Sequence, residues 1–212
     1  MKKLNLNGNE VQVPESWEEI SISCYKRIVE IKDLEGKDLV KDINSTQRVA
    51  ALLSKVLSIS IEEVYKLTIP DFNAIITTLK FLEEVIPNKT IDEIEILGEK
   101  YYVKSDIDKF SVGEMISLEV YVQQDPSFIN LIAPSLALML RKRTDNGGLA
   151  EFEAEKFTEF ISTIEQNVSI ADVFGLCAFF FSNAMSYMER NSGNSLTTGE
   201  AVEKTEQKEP AL

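Results

Sequence analysis

The chain contains no histidine, which excludes a Ser-His-Asp or Cys-His arrangement, a histidine general base and a histidine metal site. Cysteine is nearly absent too. Cys24 and Cys177 each sit in an apolar helical context, and neither has a CxxC partner. They read as two buried reduced thiols, the alternative being a disulfide or a reactive thiol. Long apolar runs are missing as well. The longest, Val173 to Phe181, is too short to cross a bilayer, and MKKLNLNGNE lacks the apolar stretch of a signal peptide. Basic residues are outnumbered: 22 Lys and Arg stand against 35 Asp and Glu, a net charge of −13. Phosphate backbones demand clustered cations, so nucleic acid is disfavoured as a partner. These features together suggest a soluble intracellular protein with no membrane partner.

Chemical motifs are equally sparse. The chain has neither the GxxxxGK[ST] phosphate loop nor GxGxxG. Asp-Asn-Gly-Gly at 145–148 lacks the alternating ligands and final Glu of a calcium loop, and reads as a flexible loop. The acids are spread out rather than gathered into a metal cage. Glu18-Glu19, Glu62-Glu63 and Glu83-Glu84 are adjacent pairs at helix edges. Neighbours on a helix diverge by about 100°, so neither carboxylate pair converges on one substrate atom. No catalytic, cofactor-binding or metal-ligating residue is assigned, and the expectation is a protein that is not an enzyme and needs no cofactor.

What the chain does contain is structural punctuation. Leu4, Leu6, Val11 and Val13 alternate with polar residues around Asn7-Gly8, a strong hairpin pattern, and Pro14 ends the second strand. Ser21 is a plausible cap for a helix carrying Tyr25, Ile28, Val29, Ile31 and Leu34, closed by Gly36. Residues 35–45 read as loop. Ser45 or Thr46 caps the next helix, which carries Val49, Leu52, Leu53, Val56 and Leu57. Ser60-Ile-Glu-Glu63 is a capping box, and Thr68-Ile-Pro-Asp71 starts a helix with Pro in its first turn. That helix runs through Phe72, Ile75, Ile76, Leu79, Phe81 and Leu82 until Pro87 stops it.

The pattern then starts again. Ile94, Ile96, Tyr101 and Val103 flank Gly98, and Ser111-Val-Gly-Glu114 is a second capping box. An offset of 90 pairs Gly8 with Gly98, Val13 with Val103, Trp17 with Ile107, Ile20 with Phe110, Ser21 with Ser111 and Ile28 with Leu118. At an offset of 101, Thr68-Ile-Pro-Asp71 matches Ser169-Ile-Ala-Asp172. The difference fits an insertion around 144–154. The competing explanation is coincidence among common turn and cap patterns. A true duplication implies a mainly α protein of class α+β, built from two hairpin-led helical halves, 1–88 and 89–190, the second packed on the first. The two hairpins could then pair into one small antiparallel sheet, since a lone hairpin is marginal in water. The acidic tail, 191–212, has little apolar content and reads as disordered.

Two clusters invite a functional reading. Arg141-Lys142-Arg143 follows the apolar helix Leu131 to Leu140. Positive charge there complements the helix dipole; the other use is an acidic partner, including the protein's own surface. Phe179, Phe180 and Phe181 are consecutive, and on a helix they sweep about 200°. Either that helix is buried nearly all round, or one ring joins an exposed partner-binding patch with Met185 and Met188 beyond it.

Three stretches carry a family resemblance. They are PESWEEISISCYKRI from Pro14 to Ile28, AALLSKVLSISIEEVYKL at 50–67, and FSVGEMISLEVY at 110–121. Together they resemble small acidic proteins encoded in the tail-gene regions of tailed phages, some in phages of gut Bacteroidetes. Those are described as tail assembly chaperones or baseplate-type assembly proteins. The likeness covers residues 1 to about 190, with 144–154 fitting less well. It implies no catalysis and no cofactor. It also implies binding to a virion protein in the host cytoplasm during tail assembly, the tape measure protein being the obvious candidate. The alternatives are a structural component retained in the virion, such as a baseplate or connector part, and an inhibitory module that binds a host protein.

Overall fold

Backbone chemistry places the elements where the punctuation falls. The computed structural model describes residues 1–6, 9–33 and 46–197; the side chains of 5, 6, 9, 32, 33, 185 and 187–197 also lie outside the described set. Strands β1 (Lys2–Leu6) and β2 (Asn9–Val13) pair antiparallel, with Leu4 opposite Val11 and Lys2 opposite Val13. The Asn7-Gly8 turn itself lies outside the described residues. A 3-10 turn, Trp17–Glu19, leads into α1 (Ile22–Asp33). Leu34, Gly36, the loop expected over 35–45 and a Ser45 cap also fall outside them.

Next come α2 (Thr46–Leu57), α3 (Ile61–Tyr65) and α4 (Ile69–Thr78), the last continuing as a 3-10 segment, Leu79–Glu83. The caps behave as their chemistry requires. The Ser60 hydroxyl accepts from the Glu63 N–H, and the Glu63 carboxylate accepts from the Ser60 N–H at 2.8 Å. The Thr68 side chain accepts from the Asp71 N–H, with Pro70 in the first turn.

The second half repeats this order. Strands β3 (Glu93–Ile96) and β4 (Glu99–Val103) pair antiparallel, followed by a 3-10 turn at Ile107–Lys109 and by α5 (Val112–Gln124). Strand β4, the 3-10 turn and the start of α5 each lie 90 residues after β2, the first 3-10 turn and the start of α1. Ile28 and Leu118, paired by that offset, are both buried. Then come α6 (Phe128–Met139), β5 (Leu140–Arg141), α7 (Phe157–Asn167) and α8 (Ile170–Thr197). Helix α8 continues seven residues into the segment expected to be disordered from 191 onward. Residues 198–212 lie outside the described ones.

Helix α6 is the centre of the molecule. Residues 131–141 are all buried, and α5, α7, α8 and α1 pack around it. A helix apolar on every side has to be enclosed in this way. Cys177 on α8 donates to the Ile132 carbonyl of α6 at 3.7 Å, and Cys24 on α1 to the Val56 carbonyl of α2 at 3.9 Å. Both thiols are free and buried, and burial raises their pKa values.

The sheet arrangement differs from the expectation of one joint platform. The hairpins form two separate sheets, β1-β2 and β3-β4-β5. Chain leaving α6 takes the free edge of β4, pairing Tyr102 with Arg141 and Val103 with Leu140, so that edge is closed to the other hairpin. The halves join elsewhere, at the helix starts. Ser21 and Ser169 form an antiparallel bridge, with Ile22 N–H donating to Val168 O at 3.0 Å and Ile170 N–H to Ile20 O at 2.9 Å. Segment 145–148, expected to be a flexible loop, is closed by hydrogen bonds. Thr144 N–H donates to Gly148 O, Ala150 N–H to Lys142 O, and Arg143 bridges Leu149.

Candidate protein-binding surface

Helix α5 is fixed at its start by a buried charge cluster. Ser111 caps it, and Glu114 reaches back to the Ser111 N–H at 2.6 Å. The same carboxylate accepts from Lys104 at 2.9 Å and from the Arg141 guanidinium at 2.6 Å. Glu114 is only 2% exposed and Arg141 6%. Burial alone would raise the Glu114 pKa. Hydrogen bonds from the Ser111 N–H, Lys104, the Ser111 hydroxyl and Arg141 outweigh it and hold the carboxyl below its ordinary value. Arg141 also donates to the Ala137 and Leu140 carbonyls at 3.0 and 2.7 Å, satisfying the end of α6. Leu118 continues the inner face of α5 into the core, and Tyr121 meets Phe157 edge-on at 5.7 Å.

The outer face of α5 is apolar as well. Val112, Ile116 and Val120, one helical turn apart, are 76%, 55% and 46% exposed. Elsewhere among the described residues, large exposed apolar side chains stand singly, Tyr65, Ile69, Val85, Leu97 and Leu149 at element ends or in turns and Phe179 within α8. Sequence reasoning missed the α5 row. Helical spacing was present, but Met115, Leu118, Tyr121 and Val122 surround it with further apolar residues. Periodicity therefore could not say which face the fold leaves bare.

On α8 the three consecutive rings separate. Phe180 is 2% exposed and packs on Phe110 at 5.4 Å between ring centres. Phe181 is half-buried against Phe128 at 5.8 Å. Phe179 points outward and is 61% exposed. Of the residues singled out as a patch, Phe179 is bare, Phe180 belongs to the core and Phe181 is shared. The Met185 and Met188 side chains lie outside the described residues.

The basic run is consumed internally. Arg141 serves both Glu114 and the helix end and lies 5.2 Å from the Phe152 ring. Lys142 bonds Glu99 at 3.1 Å, and Arg143 sits 4.0 Å over the Tyr102 ring. The paired glutamates are likewise engaged or solvated: Glu18 contacts Lys89 at 3.2 Å, and Glu63 caps α3.

A half-open cleft of about 340 Å³ lies between β4, β5, the 150–153 segment and α7. Tyr101 and Phe160 stack at 5.0 Å in its wall. Its rim cations Lys142 and Lys156 are held by Glu99 and Glu153, and the carboxylates Glu151 and Glu159 also line it. Among the described residues no group of three or more Cys, Asp or Glu could hold a metal ion, and no helix is long and apolar enough to cross a membrane. No family model, curated protein or solved structure matches this chain.

Proposed function

We propose that the protein is a non-enzymatic morphogenesis factor of a phage tail. It binds a virion protein, the tape measure being the candidate, by presenting apolar helical surface. The observation that carries this reading is the double-sided apolar character of α5. Its inner face is spent on the core, while Val112, Ile116 and Val120 stay bare on the outer one. Large apolar side chains on a helix normally face the core, so three bare ones in a row point to a cover supplied by another molecule. Partners that dock this way use amphipathic helices with turn-spaced anchors. The net charge of −13 favours solubility while such a surface is uncovered. The partner's identity comes from the resemblance at 14–28, 50–67 and 110–121.

The test is co-expression of the tagged protein with the tape measure protein from the same gene neighbourhood. The expected result is a soluble complex that Ile116→Asp disrupts. No association, with the tape measure soluble by itself, removes the proposal.

A further inference from the structure

The internal repeat supplies a template for what covers α5. The outer row of α5, Val112, Ile116 and Val120, corresponds through the offset of 90 to Ile22, Lys26 and Glu30 of α1. On α1 the first two positions of that row are served by a helix, while Glu30 stays exposed. Helix α7 packs against α1, Lys26 bonds Glu165 of α7 at 2.5 Å, and the Ile22 N–H bonds the Val168 carbonyl just past the end of α7. The first-half element in the corresponding place, α3, is a single short turn packed on α2. Nothing among the described residues does for α5 what α7 does for α1.

The chemistry of the vacant position has also changed. Where α1 offers Lys26 and Glu30, α5 offers Ile116 and Val120, so the centre suits apolar side chains in place of a Glu165-like partner. The surrounding charge is acidic. Glu119 is exposed on the same side, and α5 borders the 3-10 turn Ala154–Lys156, where Glu155 is exposed. Glu119 accepts from Gln123 at 3.4 Å, and Glu155 acts on Lys156 only through space, its neighbour Glu153 holding that lysine. The nearby cations Lys109 and Lys156 are already held by Asp106 and Glu153.

We infer that the α5 face takes an amphipathic helix of another polypeptide, apolar along its centre and flanked by lysine or arginine, seated as α7 is on α1. This rests on the proposed function and specifies its partner's chemistry. A second copy of this chain is the poorer fit, because it brings the same acids to the same edge.

The test measures binding of two labelled helical peptides, a Leu/Lys amphipathic sequence and a Leu/Glu sequence with the same leucine spacing. The full chain should bind the basic peptide at least about tenfold more tightly than the acidic one. Ile116→Asp should weaken the basic peptide by about tenfold or more, although it makes the surface more acidic. Val85→Asp, which adds the same charge at an exposed site off α5, should leave that affinity unchanged. Circular dichroism and thermal melts confirm that both variants fold. Equal binding of the two peptides, no binding of either, or undiminished binding by Ile116→Asp overturns the inference. So does a wild-type dimer in sedimentation equilibrium that Ile116→Asp dissociates. Failure of the peptide arm while Ile116→Asp still disrupts the tape measure complex would overturn this partner chemistry and leave the proposed function standing.

Discussion

Replacing Glu114 by Gln tests whether the buried charge cluster holds α5 in place. The carboxylate receives Lys104, Arg141 and the Ser111 N–H, and it is almost fully enclosed. Gln keeps the shape but removes the carboxylate charge that pairs with the buried Arg141 guanidinium. Breaking a buried ion pair from one side costs about 3–5 kcal/mol. Arg141 keeps two carbonyl acceptors and Lys104 is partly exposed, which brings the expected loss to about 2–4 kcal/mol. For a chain of this size that lowers the melting temperature by roughly 4–16 °C.

The pH dependence has a definite sign. The folded-state pKa of Glu114 is depressed, so its contribution is present above the ordinary carboxylate pKa of about 4.3 and fades as pH falls through the lower folded value. Urea titrations of wild type and Glu114→Gln should therefore differ most near pH 7 and converge in acid. A difference under about 0.5 kcal/mol at pH 7, or one that widens as pH falls, would refute the reasoning.

Two further substitutions probe particular backbone positions. Leu97 holds a φ of 52° before Gly98 at 80°, a turn that prefers Asn-Gly, and its side chain is exposed. Leu97→Asn should raise stability by about 0.5–1 kcal/mol in urea titrations, and a loss would contradict the turn assignment. On α8, a Cβ at Gly175 would lie 1.7 Å from Asn88 Oδ1 and 2.8 Å from its Cγ. Gly175→Ala should thus be more favourable in an Asn88→Ala background than in wild type, by about 1 kcal/mol in a double-mutant cycle. Additive effects would show that Asn88 does not press on the helix.

Legibility in the sequence followed the range of the interactions. Caps depend on three or four consecutive residues, and Ser60, Thr68 and Ser111 each start a helix as their local patterns require. Hairpin position was readable from Gly98, but the strained Leu97 was not, because its positive φ follows from the turn and not from its own preference. The separate sheets were not readable. They depend on β5 reaching the edge of β4 from the far end of α6, a pairing between residues distant in sequence. Three consecutive phenylalanines on α8 left open whether the helix is enclosed all round or one ring faces away from the core. Which one depends on the rotation of the helix against Phe110 and Phe128, set by tertiary packing. The bare row on α5 escaped for the opposite reason, since its apolar residues were too many for periodicity to choose among.

The most direct measurement places a photo-activated cross-linking amino acid at position 116 of α5, and separately at position 85 in the connection between the halves. Both variants are irradiated in cells that also make the tape measure protein. A covalent adduct to that protein from position 116, and none from position 85, is the outcome expected here. Adducts from both positions alike, or from neither while the complex still forms, would contradict the assignment of α5 as the working surface.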